Sequence, residues 1–258
     1  MKRTIFIILA LLLSSPLYAA VTNGDLLAGV EPGPDGMIDV LTIFAHQDDE
    51  SVYGGGTLLL LARDPRVRLH ILCMTLGDMS EAKDKLSITP EHLARIRIEE
   101  LETAAAVYGA ESVVQFDYHD QGLMSADFGE LVENVEKVID DTSAEVVITH
   151  DPSGITGHDD HKTTSKVALA AFKKSGAQKL YYVTMKPSLY RTTKVIAPFA
   201  VGDKPVKPDF KVDISEVKKL KKMAMYAHAS QKHFSGVGIA MKAMLMFDHE
   251  YFALGDEN

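Results

Sequence analysis

The sequence of 258 residues contains one cysteine, no tryptophan and fewer basic than acidic side chains. With Cys73 alone the chain has no internal disulfide, so an apolar core and any bound metal must stabilise its fold. Cys73 lies in the apolar run 69–74, which is typical of a buried structural thiol rather than a nucleophile. The 27 basic and 36 acidic residues give a formal net charge of −9. Nucleic acid is therefore a poor candidate partner, because phosphate contacts require clustered Lys and Arg.

Long apolar runs are also scarce, and one of them stands apart at the N-terminus. Lys2 and Arg3 precede the apolar residues 5–13, and small residues follow that run. This layout predicts a secretory signal peptide over residues 1–20, since the run is shorter than the ~20 residues that span a bilayer. We therefore expect a mature domain over residues 21–258 that is periplasmic or secreted. No stable membrane anchor is expected after signal removal.

Strand and helix patterns alternate along the rest of the chain. The predicted strands are residues 37–45, 67–75, 112–116, 145–149 and 179–185, and the predicted helices are 57–62, 90–108, 128–139, 163–174 and 215–229. This alternation predicts a single α/β domain whose mostly parallel sheet has helices on both faces. Such sheets bind ligands beyond the carboxyl ends of their strands. The proline-rich residues 187–213 are expected to form either an extended hairpin or a loop over the site.

Two polar clusters follow predicted strands, where such a sheet would hold a site. The first reads Ala-His-Gln-Asp-Asp-Glu over residues 45–50, and the second reads Gly-His-Asp-Asp-His over residues 157–161. Each cluster combines imidazole with carboxylate within a few residues. If their strands are neighbours in the sheet, the two clusters meet in space.

The residue types in these clusters suit a catalytic zinc ion, which takes three His, Asp or Glu ligands and keeps a position for water. His46 and Asp49 are three residues apart, and His161 can complete the set from the other loop. Asp48 is then the natural general base. His158 is placed to stabilise the oxyanion and to protonate the leaving amine. Iron(II) could occupy the same ligands, since imidazole and carboxylate do not by themselves select zinc.

The same residues resemble the hallmarks of the PIG-L/LmbE-like zinc-dependent deacetylase family, which are Ala-His-Pro-Asp-Asp-Glu and Gly-His-x-Asp-His. Weaker family features match residues 75–78, 97–101, 120–123 and 228–231. The resemblance implies a Rossmann-like three-layer sandwich and removal of N-acetyl groups from N-acetylglucosamine-type substrates. It also implies zinc ligation by His46, Asp49 and His161, a general base at Asp48, and an electrostatic partner at His158.

Several residues keep more than one interpretation. The resemblance implies that Arg97 and Asp120 bind substrate, while Arg97 can also be ion-paired, for example with Asp120, or solvated. His150 and His228 are either supporting residues of the site or buried structural histidines. The four lysines at 218, 219, 221 and 222 are expected to form a solvated helix face.

Two residues depart from the family pattern. Gln47 replaces the usual proline of the first hallmark, which removes a backbone restriction just before the base. Asp159 adds negative charge at the variable position of the second hallmark, near the expected metal.

These observations predict a zinc-dependent hydrolase that removes an N-acyl group, expected to be N-acetyl, from an amino sugar or a short amino-sugar oligosaccharide outside the cytoplasm. One alternative is a zinc-dependent carbohydrate-binding protein without turnover. Another is a metal-dependent amidase that acts on an N-acyl substrate other than a sugar.

Overall fold

The computed structural model describes residues 21–196, 201–232 and 237–255. The predicted signal peptide, residues 1–20, lies outside these residues and stays a prediction. Within the described part of the chain, no helix combines the length and the apolar character that crossing a bilayer requires.

One sheet organises the described residues. Its strands in chain order are β1 Thr22–Asn23, β2 Ile38–Phe44, β3 Val67–Thr75, β4 Ser112–Tyr118, β5 Val146–His150, β6 Lys179–Thr184, β7 Phe210–Asp213 and β8 His249–Leu254. The strands lie in the order β1-β7-β8-β6-β5-β2-β3-β4. β8 runs antiparallel to both β6 and β7, and the other neighbouring pairs are parallel.

Helices connect and cover these strands. In chain order they are α1 Gly55–Leu61, α2 Ala82–Leu86, α3 Pro90–Tyr108, α4 Phe128–Asp141, α5 Asp159–Phe172, α6 Pro187–Ile196, α7 Lys218–Ala227, α8 Ala229–Lys232 and α9 Val237–Met244. A π-helical turn, Glu50–Gly54, precedes α1, and 3-10 turns occupy Leu123–Ser125 and Ser215–Val217.

The apolar core has two halves, one on each face of the sheet. Because side chains alternate along a strand, Val40 of β2 packs on one face and Leu41 on the other. The face of Val40 is covered by α1, α3 and α7, and the face of Leu41 by α4 and α5. This arrangement confirms the predicted three-layer α/β fold with a mostly parallel sheet in a single domain.

Local sequence signals set the bounds of α3, which agree with the sequence prediction. The Thr89 hydroxyl accepts a hydrogen bond from the backbone N–H of His92, and Pro90 occupies the first turn. Gly109 ends the helix with a φ of 72°, in the left-handed region where glycine is favoured.

Of the two alternatives expected for residues 187–213, the extended hairpin was wrong. The segment begins with the helix α6, and Pro187 is compatible with a helix start because the first turn does not need its N–H. The segment ends in β7, which pairs with the C-terminal β8. A hairpin within the segment was therefore the wrong interpretation, because the partner strands of β7, which are β1 and β8, both lie outside the segment.

A buried ion pair joins α7, β8 and α1. Lys221 is 1% exposed, and its Nζ donates to Glu250 Oε1 at 2.6 Å and to the Val52 carbonyl at 3.1 Å. The Glu250 carboxylate also accepts from the backbone N–H groups of Gly56 and Thr57 at 2.9 and 2.7 Å. The expectation of a solvated lysine face is thus wrong for Lys221, because Glu250 supplies a partner that the helix pattern does not reveal.

Removing one partner of this pair is expected to destabilise the fold. Glu250→Gln leaves the Lys221 ammonium buried without its counter-charge, so we expect the free energy of unfolding to fall by about 3–5 kcal/mol. Urea denaturation followed by circular dichroism measures the change.

The matched control for this prediction is Glu216→Gln. Glu216 pairs with Arg63 at 2.6 Å, but their side chains are 65% and 50% exposed, so the control should change stability by less than ~0.5 kcal/mol. Equal effects of the two substitutions would contradict a stabilising role for the buried pair.

Candidate active site and metal centre

The site lies at the carboxyl ends of β2 and β5, which are adjacent and parallel. Their register pairs Ile43 with Thr149, so the loops that follow the two strands leave the sheet at the same edge. The first cluster, residues 45–50, follows β2. The second cluster, residues 157–161, spans the start of α5. The predicted meeting of the two clusters is therefore confirmed.

The loop after β2 holds Asp48 in an unusual backbone conformation. Its φ is 107°, a value that residues with a side chain seldom adopt and that costs energy. The surrounding structure fixes it: the Asp48 N–H donates to Glu50 Oε2 at 3.0 Å, and the Asp48 carbonyl accepts from the N–H groups of Ser51 and Val52. Backbone strain is thus located at the predicted base.

Glu50 owes its orientation to His228, which reaches it from the end of α7. Glu50 Oε1 lies 2.8 Å from His228 Nε2, and both side chains are almost completely buried. Burial alone would lower the pKa of His228, but the Glu50 carboxylate outweighs it and raises the pKa above its ordinary value. His228 therefore supports the Asp48 loop through Glu50. The family feature at residues 228–231, His-Ala-Ser-Gln, was the sequence signal for this role.

The loop after β5 positions His161. Asp151 is buried and accepts hydrogen bonds from Ser153 and Thr184, which fixes the turn that contains Gly154. His161 Nδ1 lies 3.0 Å from the Gly154 carbonyl, so Nδ1 carries the proton and donates it there. Nε2 of His161 is then left with a free lone pair, the form that binds a metal.

Three atoms that could bind a metal converge between the two loops, and we call them the donor triangle. His46 Nδ1 lies 3.1 Å from His161 Nε2, and Asp49 Oδ2 lies 3.3 Å from His161 Nε2 and 3.5 Å from His46 Nδ1. Ligands about 2.0–2.1 Å from a tetrahedral zinc ion are separated by about 3.3 Å. The spacing and the chemistry of His46, Asp49 and His161 therefore fit a single tetrahedral divalent ion.

Carboxylates on the far side of His46 set its tautomer. His46 Nε2 lies 3.3 Å from Asp160 Oδ2 and 3.1 Å from Asp120 Oδ1. Of these two contacts, the one with Asp160 has the geometry of a hydrogen bond. Nε2 therefore carries the proton, and Nδ1 faces the other two donors. Asp160 also accepts from the N–H groups of Gln121 and Leu123 at 2.6 and 3.1 Å, which holds the loop after β4 against the site.

Asp160 was not assigned a role by the sequence analysis, although it lies inside the second hallmark between His158 and His161. It is completely buried. The available signal was its place as the fixed aspartate of the second hallmark, Gly-His-x-Asp-His.

The electrostatics of the cluster follow from these contacts. Burial acts to lower the pKa of His46, but contacts with Asp120, Asp160 and Asp49 raise it well above its usual value, so an ion that binds Nδ1 would have to displace a proton from it. Burial acts to raise the pKa of Asp49, and the neighbouring His161 and His150 hold it well below its usual value. Asp49 thus stays ionised, as a metal ligand must be.

Asp48 lies beside the donor atoms, and Arg97 is its cationic neighbour. Burial is the main cause that raises the pKa of Asp48 to about 6; Arg97 opposes this rise and Asp49 adds to it. Arg97 Nη2 is 3.6 Å from Asp48 Oδ1, so the ion-pair partner of Arg97 is Asp48 rather than the suggested Asp120. Arg97 is 3% exposed and also donates to the carbonyls of Gly77 and Gln47.

His158 lies at the open side of the cluster and is the N-cap of α5. Its Nδ1 accepts from the Asp160 N–H at 3.2 Å, which leaves the proton of the neutral ring on Nε2. Burial, His46 and His161 lower the pKa of His158, so the ring is neutral near pH 7. Its side chain is 36% exposed, and Nε2 lies 4.0 Å from Asp120 Oδ1. An N–H group that can donate a hydrogen bond is thus available beside the donor triangle.

Asp120 lies inward of His158, between it and His46. Burial acts to raise its pKa, but the contact with His46 and the charges of Arg97 and His158 lower it to about 2. Asp120 is 8% exposed, and its N–H donates to Asp78 Oδ1 at 2.9 Å. The structure therefore brings Asp120 to the two imidazoles, and its contact with a substrate stays a prediction.

Gln47, the departure from the first hallmark, is completely buried and joins three segments. Its Nε2 donates to the Thr75 carbonyl at 2.8 Å and to Gln115 Oε1 at 2.9 Å. Gln115 in turn donates to the Thr75 and Phe116 carbonyls. The glutamine therefore fixes the loop by hydrogen bonds, and the remaining residues of the hallmark keep their positions.

Asp159, the second departure, is exposed and points away from the donor atoms, since its Oδ1 lies 3.6 Å from Lys162 Nζ. Its charge is thus partly neutralised on the surface of α5.

Comparison with known proteins supports the relationship that the motifs suggest. The sequence profile of the PIG-L family, described as GlcNAc-PI de-N-acetylase, matches residues 41–172, about half of the chain. A probable N-acetyl-alpha-D-glucosaminyl L-malate deacetylase 2 of Bacillus anthracis is 30% identical over 194 residues, which cover 74% of this chain and 80% of the relative.

Solved structures give the same fold. The N,N'-diacetylchitobiose deacetylase of Pyrococcus horikoshii superposes with a TM-score of 0.66 at 25% identity, covering 89% of this chain and 86% of the other. The 4-carboxy-2-hydroxymuconate hydratase of Pseudomonas putida superposes with a TM-score of 0.68 at 20% identity, covering 86% and 98%, and shows the fold alone. By the extent of the family match and the identity to its relative, the chain belongs to the PIG-L family of metal-dependent N-deacetylases.

Proposed function

We propose that this protein is a zinc-dependent deacetylase that hydrolyses the N-acetyl group of an N-acetylglucosamine-type amino sugar or short oligosaccharide outside the cytoplasm. The observation that carries the proposal is the triangle of His46 Nδ1, Asp49 Oδ2 and His161 Nε2 beside the buried Asp48 carboxylate. The names of the Bacillus and Pyrococcus relatives, both deacetylases of N-acetylated glucosamine compounds, support the substrate class. The signal-peptide pattern of residues 1–20 supports export.

His46, Asp49 and His161 are the proposed metal ligands. When bound to three protein ligands, a zinc ion would act as a Lewis acid and lower the pKa of a coordinated water to near 7. The hydrogen bonds of the other ring nitrogens support this assignment. His161 Nδ1 bonds to the Gly154 carbonyl, and His46 Nε2 bonds to the Asp160 carboxylate. Such contacts fix the tautomer and the ring orientation of a metal-binding histidine. Iron(II) remains compatible with the same donors.

Asp48 is the proposed general base. A base works best when its pKa is close to the working pH, and burial raises the pKa of Asp48 to about 6. The backbone at φ 107° is fixed by hydrogen bonds, and the Asp48 carboxylate is close enough to Asp49 for the two charges to interact. Arg97 acts on Asp48 in two ways, since its charge keeps the carboxylate ionised and its hydrogen bonds hold the Gln47 and Gly77 carbonyls.

His158 is the proposed proton donor and oxyanion partner. Its Nε2–H lies on the open side of the site, because Nδ1 is occupied by the Asp160 N–H. A positioned N–H can stabilise the oxyanion of the tetrahedral intermediate. Protonation of the leaving amine requires the imidazolium form of His158, in which Nδ1 takes a proton in place of its contact with the Asp160 N–H, because a neutral ring that gave up its only proton would become an imidazolate. Asp120, 4.0 Å from Nε2, favours this imidazolium form, and the ring returns to the neutral form when the amine takes the proton. Direct contacts of Asp120 or Arg97 with the sugar stay predictions.

Two alternatives are carbohydrate binding without turnover and hydrolysis of an N-acyl substrate other than a sugar. Retention of the Asp48 and His158 pair favours amide hydrolysis, because that reaction needs both a base and a proton donor to nitrogen. A protein that only binds carbohydrate needs neither. An N-acyl substrate other than a sugar is tested by including acylated amino acids in the substrate panel.

The central test is acetate release from N-acetylglucosamine and N,N'-diacetylchitobiose by the protein loaded with zinc. We expect Asp48→Asn to lower kcat by roughly 10²–10⁴-fold while zinc content stays at wild-type level, because the substitution removes the base and keeps every ligand. Metal content by atomic emission and acetate by an enzymatic assay measure the two quantities on one preparation.

Asp159→Asn is the matched control for this test. Asp159 is an aspartate of the second cluster, as Asp48 is of the first, but its side chain is exposed. It should retain wild-type kcat and zinc content. Zinc binding without acetate release from any acylated substrate would contradict the proposed function, and full turnover by Asp48→Asn would contradict the assignment of the base.

The acid limb of the pH profile should depend on Arg97. Arg97 lowers the pKa of Asp48, so Arg97→Met should raise that pKa and move the acid limb of kcat/KM to higher pH. Arg97→Lys keeps the charge and should shift the limb less. Initial rates from pH 5 to 8 measure the profile, and an unchanged or acid-shifted limb in Arg97→Met would show that Asp48 does not set it.

A further inference from the structure

A fourth imidazole, that of His150, lies against the donor triangle. His150 is the last residue of β5 and is completely buried. Its Nε2 lies 3.2 Å from Asp49 Oδ2, the donor atom of the proposed ligand. Neither the proposed ligand set nor the proton transfers described above use this residue.

The His150 ring is held on several sides. It stacks on the His161 ring with centroids 4.1 Å apart and an angle of 8° between the planes. The rings of Phe44 and Tyr53 meet it edge-on at centroid distances of 4.8 and 5.8 Å. The orientation of the imidazole is therefore fixed by packing, and the direction of its Nε2 is fixed with it.

The stacking excludes His150 as a further ligand of the same ion. Asp49, His150 and His161 have donor atoms within 4.8 Å of one another, so the group has the composition of a metal site. An imidazole binds a metal in the plane of its ring, however, and two nearly parallel rings that stack at 4.1 Å have no nearby point in common to both planes. An ion bound by His161 is thus out of reach of the His150 lone pair.

The tautomer of His150 follows from its two nitrogens. Within the described residues Nδ1 has no hydrogen-bond partner. A proton on Nδ1 would leave a buried donor unsatisfied and would set the Nε2 lone pair against the Asp49 carboxylate, which is unfavourable. Nε2 also lies 3.4 Å from the Ala45 N–H, at the long limit of a hydrogen bond, whereas the carboxylate oxygen Asp49 Oδ2 lies closer, at 3.2 Å. The negative charge and the shorter distance favour a proton on Nε2 that is directed at Asp49.

We propose that His150 is a positioning residue of the metal centre, which holds Asp49 Oδ2 in its metal-binding position through an Nε2–H hydrogen bond. The inference rests on the proposed ligand set. Asp49 Oδ2 also accepts from the His46 N–H at 2.9 Å, and the same oxygen lies 3.5 Å from His46 Nδ1 and 3.3 Å from His161 Nε2, so the two N–H groups hold it where an ion would bind. Without His150 one of these donors is lost, and the carboxylate can rotate away from the ion.

Zinc affinity tests the proposal without recourse to catalysis. His150→Phe keeps a ring between Phe44, Tyr53 and His161 but removes the N–H donor, and we expect the dissociation constant for zinc to rise by about 10–100-fold. His150→Gln restores an N–H close to the position of Nε2 and should bind zinc more tightly than His150→Phe. Competition with a chromogenic chelator measures the constants, and urea denaturation of the metal-free variants confirms that each is folded.

His70→Phe is the matched control. His70 is also a buried strand histidine bonded to a carboxylate, with Nε2 2.8 Å from Asp39 Oδ1, but it lies at the other end of the strands. It should bind zinc like the wild type. Wild-type affinity in His150→Phe, alongside loss of zinc in Asp49→Ala, would overturn the role of His150 and leave the ligand set intact.

Two other outcomes are also decisive. Equal weakening in His150→Phe and His150→Gln would show that the N–H is not responsible, and it would overturn the proposal. Absence of stoichiometric zinc binding by the wild type would overturn the ligand set and the role of His150 together. A change in the visible absorption of the Co²⁺-loaded protein between wild type and His150→Phe, with recovery in His150→Gln, would support a displaced carboxylate.

Discussion

The parallel pairing of β2 with β5 is the constraint on which the site depends. Each strand alone ends in a polar loop of no particular chemistry, but the register of Ile43 with Thr149 places both loops at one edge of the sheet. His46 and Asp49 from one loop then meet His161 from the other within 3.5 Å. A slip of the register by one residue would turn the inward side chains of β2 to the opposite face and dismantle the triangle.

The convergence has an electrostatic cost that the surrounding residues offset. His46, Asp48, Asp49, Glu50, Asp160 and His161 are all buried, and a buried charge without a partner is strongly unfavourable. The partners come from elements outside the two loops: His228 from the end of α7, Arg97 from α3 and the N–H groups of the loop after β4. The site is therefore a network that the whole domain supports, and it explains why an otherwise costly φ at Asp48 persists.

Elements whose signals are local in sequence could be predicted, and those that depend on distant partners could not. β3 and α3 have their predicted bounds, because a continuous apolar run and the Thr89, Pro90 and Gly109 signals each act within a few residues. α5 begins at Asp159 rather than at the predicted residue 163, since its cap is a histidine, an unusual N-cap residue. β7 and β8 were missed because both are short and depend on pairing with strands distant in sequence, β7 with β1 and β8, and β8 with β6 and β7.

The site shows the same division. The motifs predicted that His46, Asp49 and His161 converge, since both clusters follow strands that are neighbours in the sheet. They could not predict that Lys221 is buried, because its partner Glu250 lies on the unpredicted β8. Nor could they show that Glu50 contacts His228 across 178 residues of sequence. The inward-facing carboxylates and imidazoles acquire their roles only through tertiary contacts of this kind.

Gln47 illustrates how such contacts replace a local restriction. A proline at this position would fix its own φ and restrict His46, and it would stabilise the loop by about 0.4–1 kcal/mol through the unfolded state. Gln47 lacks that restriction but donates hydrogen bonds to Thr75 and Gln115, each of which contributes a net ~0.5–1.5 kcal/mol. The Gln47 Oε1 is buried without a hydrogen-bond partner among the described residues, which offsets part of that gain and brings the two solutions to a similar magnitude. The glutamine differs in tying the Asp48 loop to the ends of β3 and β4, so the position of the base depends on the packing of those strands as well as on its own loop.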